Sequence, residues 1–131
     1  MTTNAGHASL VVNALPHPVL IVDQEGRIVD ANVASEAFFR TGLAQLHNSR
    51  LADHLPFGSP VLSAVDDARR RKAQINEYRI DVGTPRIGAE RIVDLNALPL
   101  TPSAEFIVIM MQERTIADKM DRQLTHRGAA R

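Results

Sequence analysis

The chain of 131 residues contains no cysteine. That absence excludes disulfides, thiolate-ligated zinc, thiol nucleophiles and flavin–cysteinyl photochemistry together. It suits a reducing cytoplasm. Neither sign of charge prevails, since fifteen Lys and Arg stand against fifteen Asp and Glu. A neutral chain has no overall field with which to hold nucleic acid or an anionic membrane. Long apolar runs are missing as well. The longest is Phe106 to Met111, far short of the ~20 residues that span a bilayer. The start, M-T-T-N-A-G-H, lacks the basic residues and apolar stretch of a signal peptide. The expectation is a soluble, cytoplasmic protein with no nucleic-acid and no membrane partner. At this length it makes one domain, able to bury roughly two-thirds of the surface its unfolded form exposes.

The richest stretch is Val19 to Asn32, V-L-I-V-D-Q-E-G-R-I-V-D-A-N. Four apolar residues stop at Asp23, a polar tetrad ends in Gly26, and Arg27 to Val29 begins a second short strand. Glycine tolerates the positive φ of a tight turn, and Asn32 is placed to cap a helix. A hairpin that feeds directly into a helix opens small α+β sensor domains, not parallel nucleotide-binding folds.

Ahead of it, Met1 to Gly6 is expected to be disordered. His7 to Ala14 carries Leu10, Val11 and Ala14 at helical spacing, and Pro16 and Pro18 end that helix. Beyond the hairpin, Val33 to Arg40 reads as a helix with Ala34, Ala37 and Phe38 facing inward and Gly42 just past its end. Leu43 to Pro56 is turn-rich, with Leu51, Leu55 and Phe57 as apolar anchors. Ser59-Pro60 starts a longer helix that runs to about Lys72. Leu62, Val65 and Ala68 or Arg69 lie on its inner side.

Three strands follow. In Gln74 to Val82, the residues Tyr78, Ile80 and Val82 alternate with Glu77, Arg79 and Asp81, as in a half-buried antiparallel strand. In Arg91 to Leu98, Val93, Leu95 and Ala97 share one face. Phe106 to Met111 is apolar throughout, so both of its faces need cover. Each large side chain left in water forgoes about 1.5–3 kcal/mol. The N-terminal helix with Leu10 and Val11, or a second copy of the domain, would supply that cover. From Thr115 a helical stripe of Ile116, Met120 and Leu124 begins a dimerising helix or an amphipathic tail. It reaches Arg131 without a cap, as if the chain ended within a helix.

The order of elements, helix, two strands, short helices, longer helix, three strands and exit helix, resembles a PAS domain. That is an α+β fold with a five-stranded antiparallel sheet, helices on one face, an N-terminal cap helix and a C-terminal exit helix. The motifs are more specific. A-L-P-H-P-V-L-I-V-D (Ala14 to Asp23), G-R-I-V-D-A-N (Gly26 to Asn32) and P-F-G-S-P (Pro56 to Pro60) resemble the PAS region of NtrB nitrogen-regulation sensor histidine kinases. So do N-E-Y-R (Asn76 to Arg79), G-T-P-R-I-G (Gly83 to Gly88) and Q-E-R-T-I-A-D-K-M-D-R-Q-L (Gln112 to Leu124).

The resemblance implies a PAS domain over residues 7–114 and, over 115–131, the start of a signalling helix towards a kinase core. The parent would autophosphorylate with ATP, pass phosphate to the response regulator NtrC and answer to the PII signal protein. The fragment itself is expected to be no enzyme, since it has neither the box around a phosphorylated histidine nor a glycine-rich ATP lid. No haem or flavin attachment is predicted, and no metal. The fragment is expected to form a homodimer through Leu10, Val11, Ala14, Val108, Ile116, Met120 and Leu124. Phe38, Phe39, Leu55, Leu62 and Tyr78 fall where PAS pockets are lined, with plain core packing as the competing reading. His126, His7, His17, His47 and His54 read as ordinary residues rather than phosphoacceptor or ligands. Arg69 to Lys72 reads as a solvated helix end. A free-standing small-ligand carrier of the same fold is the alternative.

Overall fold

The computed structural model describes residues 10–114. Strands β1 (Val19–Val22) and β2 (Ile28–Ala31) form the hairpin. Asp23 organises its turn, because its Oδ1 accepts from the Glu25 and Arg27 N–H groups at 2.9 and 3.0 Å. Gly26 takes the left-handed φ of +79° that the turn demands. Helices α1 (Val33–Phe39), α2 (Leu43–Leu46), a 3₁₀ helix (Leu51–His54) and α3 (Pro60–Arg71) follow. Strands β3 (Ile75–Asp81), β4 (Ile92–Pro99) and β5 (Ile107–Glu113) complete a five-stranded antiparallel sheet of order β2-β1-β5-β4-β3.

Alternation decides which face is covered. Leu20, Val22, Val93, Leu95, Ala97, Ile107, Ile109 and Met111 are buried and join the inner faces of the helices, including Phe38, Phe39, Leu46, Val61, Val65 and Ala68, in one core. Val19, Ile21, Leu98, Val108 and Met110 point the other way and are only half-buried. They are neighbours across the sheet, with Ile21 opposite Val108, Val19 opposite Met110, and Leu98 on the far side of Val108. The apolar run Ile107 to Met111 of β5 thus packs one face in the core and presents the other as part of an apolar stripe.

Asn32 binds three segments to one another. Its amide hydrogens go to the carbonyls of Val12 and His17 at 3.0 and 2.9 Å. Its Oδ1 accepts from the N–H groups of Val19 (2.9 Å) and Ser35 (3.1 Å), and the Ser35 hydroxyl stands 2.8 Å away. The helix cap expected from the sequence is present, and the same side chain also fastens the entry to β1.

Several local expectations are corrected. On α1 the inward residues are Ser35, Phe38 and Phe39; Ala34 is half-buried and Ala37 exposed. That helix closes at Arg40, left-handed at φ +50°, while Gly42 instead precedes α2. Phe57 is no anchor and stands fully exposed. β3 does not alternate throughout. A bulge between Glu77 and Ile80, with Arg79 at φ +58°, keeps Ile80 and Val82 inward but throws Tyr78 outward, 66% exposed. The Arg79 N–H is diverted to Asp94 Oδ1 at 3.1 Å. Residues 10–14 are helical, but Leu10 and Val11 are 68% and 61% exposed and Ala14 is exposed, so they do not roof the sheet. Met1 to Ser9 and the stripe of Ile116, Met120 and Leu124 lie outside the described residues.

Replacing Asn32 by Ala should cost about 3 kcal/mol in urea unfolding, since it strands a helix end and buried backbone groups at once. Asn32→Asp should destabilise too, because it keeps the acceptor but turns a carboxylate towards the Val12 and His17 carbonyls.

Candidate functional site

The end of β5 is the last described segment of the sheet, and it is held from both sides. Glu113 continues the inner register of Ile107, Ile109 and Met111. A carboxylate there needs a partner, and Arg91 supplies it in a two-pronged ion pair, Nη2 lying 3.1 Å from Oε1 and Nε pairing with Oε2. The same guanidinium donates to the Ile87 carbonyl at 2.8 Å and lies 4.4 Å from the centre of the Phe38 ring. One side chain therefore joins the β3–β4 loop, α1 and the last residue of β5. On the outer side, Arg114 pairs with Asp94 at 2.8 Å, and its N–H donates to the Ile92 carbonyl.

Next to this lies a cleft of about 240 Å³ lined by Phe39, Asp53, His54 and the loop Thr84 to Ile87. The Ser49 hydroxyl lies 2.6 Å from the Leu46 carbonyl and 2.8 Å from His54 Nε2. Its single proton goes to the carbonyl, so the imidazole must donate through Nε2. Ser49 is accordingly not activated by His54, and the pair is no nucleophile–base dyad. Burial holds the His54 pKa below the usual histidine value; Asp53 opposes this shift and Arg86 reinforces it. Among the described residues no three His, Asp or Glu groups cluster as a metal site.

Of the five residues expected to line a pocket, Phe38, Phe39 and Leu55 are buried, and Phe39 also borders the His54 cleft while Phe38 borders a second cleft with His17, Arg91 and Glu113. The two rings pack edge to face, 5.0 Å between centres. Leu62 is partly buried and lines a separate cleft beside the β1–β2 turn, with Val22, Gly26 and Leu51. Tyr78 sits on the β3 bulge, exposed and away from them. Sequence reasoning missed Arg91, Glu113, Asp94 and Arg114. The available signal was a charged residue at an inner-facing position of an otherwise apolar strand.

A five-stranded antiparallel sheet with its helices on one face, and with an exit strand latched to them, is a PAS architecture. Residues 12–119 match the PAS fold family, and the chain belongs to it. It is homologous to the PAS region of NtrB kinases. It is 45% identical over 121 residues to the sensory histidine kinase/phosphatase NtrB of Rhizobium meliloti (strain 1021), covering 92% of this chain and 32% of that protein. It is 46% identical over 124 residues to NtrB of Rhizobium leguminosarum bv. phaseoli, covering 95% of this chain and 32% of that one. The chain thus spans about a third of the length of the curated relatives it matches. Among solved structures it is similar to the PAS domain of nitrogen regulation protein NR(II) from Vibrio parahaemolyticus. The TM-score is 0.70 at 17% identity, covering 82% of this chain and 97% of that one. No helix among the described residues is long and apolar enough to cross a membrane.

The lowered pKa of His54 fixes the sign of a pH effect. The unfolded chain takes up the proton before the folded one does, so stability is complete above the unfolded value and falls as pH drops through and below it. Urea midpoints measured from about pH 8 down to about pH 5 should therefore decline. In His54→Gln, whose amide can still donate to Ser49, that decline should be shallower.

Proposed function

We propose that this chain is the regulatory module of an NtrB-type cytoplasmic sensor kinase, that it works as a homodimer, and that it sets the state of the kinase attached to it. The observation that carries the reading is the two-sided latch on the exit. Glu113 is bound to the helix layer through Arg91, and Arg114 is bound to the outer face through Asp94. A packing change on either face shifts the balance between two arrangements of whatever follows Arg114. In this reading the domain does no chemistry and needs no cofactor of its own. ATP is used by the kinase part, NtrC receives the phosphate and the PII protein governs the balance of the two activities.

A homodimer is favoured by the half-buried apolar stripe of Val19, Ile21, Leu98, Val108 and Met110. Leu10 and Val11, which would otherwise cover it, are exposed. A second copy would remove the stripe from water.

In the full-length kinase, Glu113→Gln should change the ratio of autophosphorylation to phosphatase activity about fivefold or more, with the KM for ATP unchanged. An unaltered ratio would refute the latch as the route of the signal. For the dimer, Val108→Asp should leave a folded monomer by native mass spectrometry. Ile109→Asp should prevent folding, since it sets a carboxylate in the core. A wild-type chain that remains monomeric at high concentration sinks the dimer.

A further inference from the structure

The loop between the 3₁₀ helix and α3 carries a phenylalanine that the domain itself does not use. Pro56 to Ser59 is a closed turn, in which the Ser59 N–H donates to the Pro56 carbonyl at 3.1 Å. Gly58 has φ +73°, a left-handed value that glycine adopts without strain. Both flanks are anchored. Leu55 is buried, and Ser59 is buried with its hydroxyl accepting from the Val61 N–H at 3.2 Å. Between these anchors Phe57 is wholly exposed, although the chain has only four phenylalanines and packs Phe38 and Phe39 inside. A ring held in water by a preformed turn loses little freedom on docking, and aromatic side chains dominate binding energy at interfaces.

Its position narrows the partner. Phe57 lies three positions after His54, a reach of at most about 11 Å. His54 lines the cleft with Thr84 to Ile87, and the Ile87 carbonyl holds Arg91, which holds Glu113. Phe57 therefore sits on the helix side of the sheet, within that reach of the cleft whose other wall, Thr84 to Ile87, holds Arg91. A second copy seated on the outer stripe of the sheet would leave it free. The curated relatives are about three times as long as this chain, so most of their polypeptide lies outside the matched region.

We propose that Phe57 is a docking knob that seats in an apolar pocket on the remaining polypeptide of the parent kinase, beyond the exit. This rests on the reading of the chain as a kinase module. The test places photo-reactive benzoylphenylalanine at position 57 of the full-length protein and maps the cross-linked peptides. Cross-links to segments following residue 131, in the same or the partner chain, are expected. Phe57→Ala should change the autophosphorylation rate about threefold or more without shifting the thermal midpoint of the full-length protein, and Phe57→Met should restore the rate. Cross-links confined to residues 1–131 of another copy, cross-links only to a separate protein, no cross-link, or an unchanged Phe57→Ala rate each overturn the proposal. A wild-type full-length protein with no autophosphorylation at all removes the kinase reading first and the knob with it, so the two failures are told apart.

Discussion

The fold depends on the satisfaction of Asn32. A buried primary amide has two donors and a carbonyl acceptor to place, and each left unmet carries the desolvation cost of a polar group without water. Here the donors go to Val12 and His17 and the acceptor to Val19 and Ser35. Those partners belong to the N-terminal turn, the entry to β1 and the first turn of α1. Because the amide is planar and its partners are fixed, the three segments have one relative arrangement. The hairpin can then pair with β5 in a single register, Val19 against Met110 through Val22 against Ile107. The inward set on β5 follows from that register, since a slip of one residue would exchange its two faces.

What was legible in the sequence is what local chemistry decides. The hairpin turn rests on Asp23 and Gly26, the α3 start on Ser59-Pro60, and β4 on strict alternation of Val93, Leu95 and Ala97. Each uses partners a few residues apart. The misreadings share another origin. Tyr78 obeys period two in the sequence, but the bulge at Arg79 is stabilised by Asp94, fifteen positions further on. The helix ends at Arg40 and Lys72 fall where the sequence put them, but each closes on its own left-handed residue rather than on a glycine. Phe57 read as an anchor because hydrophobicity alone argues for burial. Of the candidate site, only the aromatic part was visible. Arg91 and Glu113 are 22 residues apart, and no spacing rule pairs them.

Arg91 shows how a small domain compensates a charge placed near its core. Its guanidinium meets a carboxylate, a carbonyl and an aromatic face, so its donors and its cation are compensated together. Lysine could not reproduce that planar, forked geometry. The arrangement also concentrates coupling. The β3–β4 loop, α1 and the exit strand share one side chain, and a shift in any of them is felt by the other two.

The two ion pairs at the exit act on opposite faces, and that constrains how a signal can leave. Glu113 reports on the helix layer, where ligands of a PAS domain or a docked segment would act. Arg114 reports on the outer face, where a second copy would act. Since the residues are adjacent, the end of β5 is tied to both faces at once. A rigid translation of the whole domain leaves both pairs intact and transmits nothing. A tilt of the helix layer against the sheet would strain the Arg91 bridge between Phe38 and Glu113, while the Asp94–Arg114 pair, with both residues on the sheet, would stay intact. The apolar interior resists gradual deformation, so such a tilt is a choice between packings, and the exit inherits that discreteness.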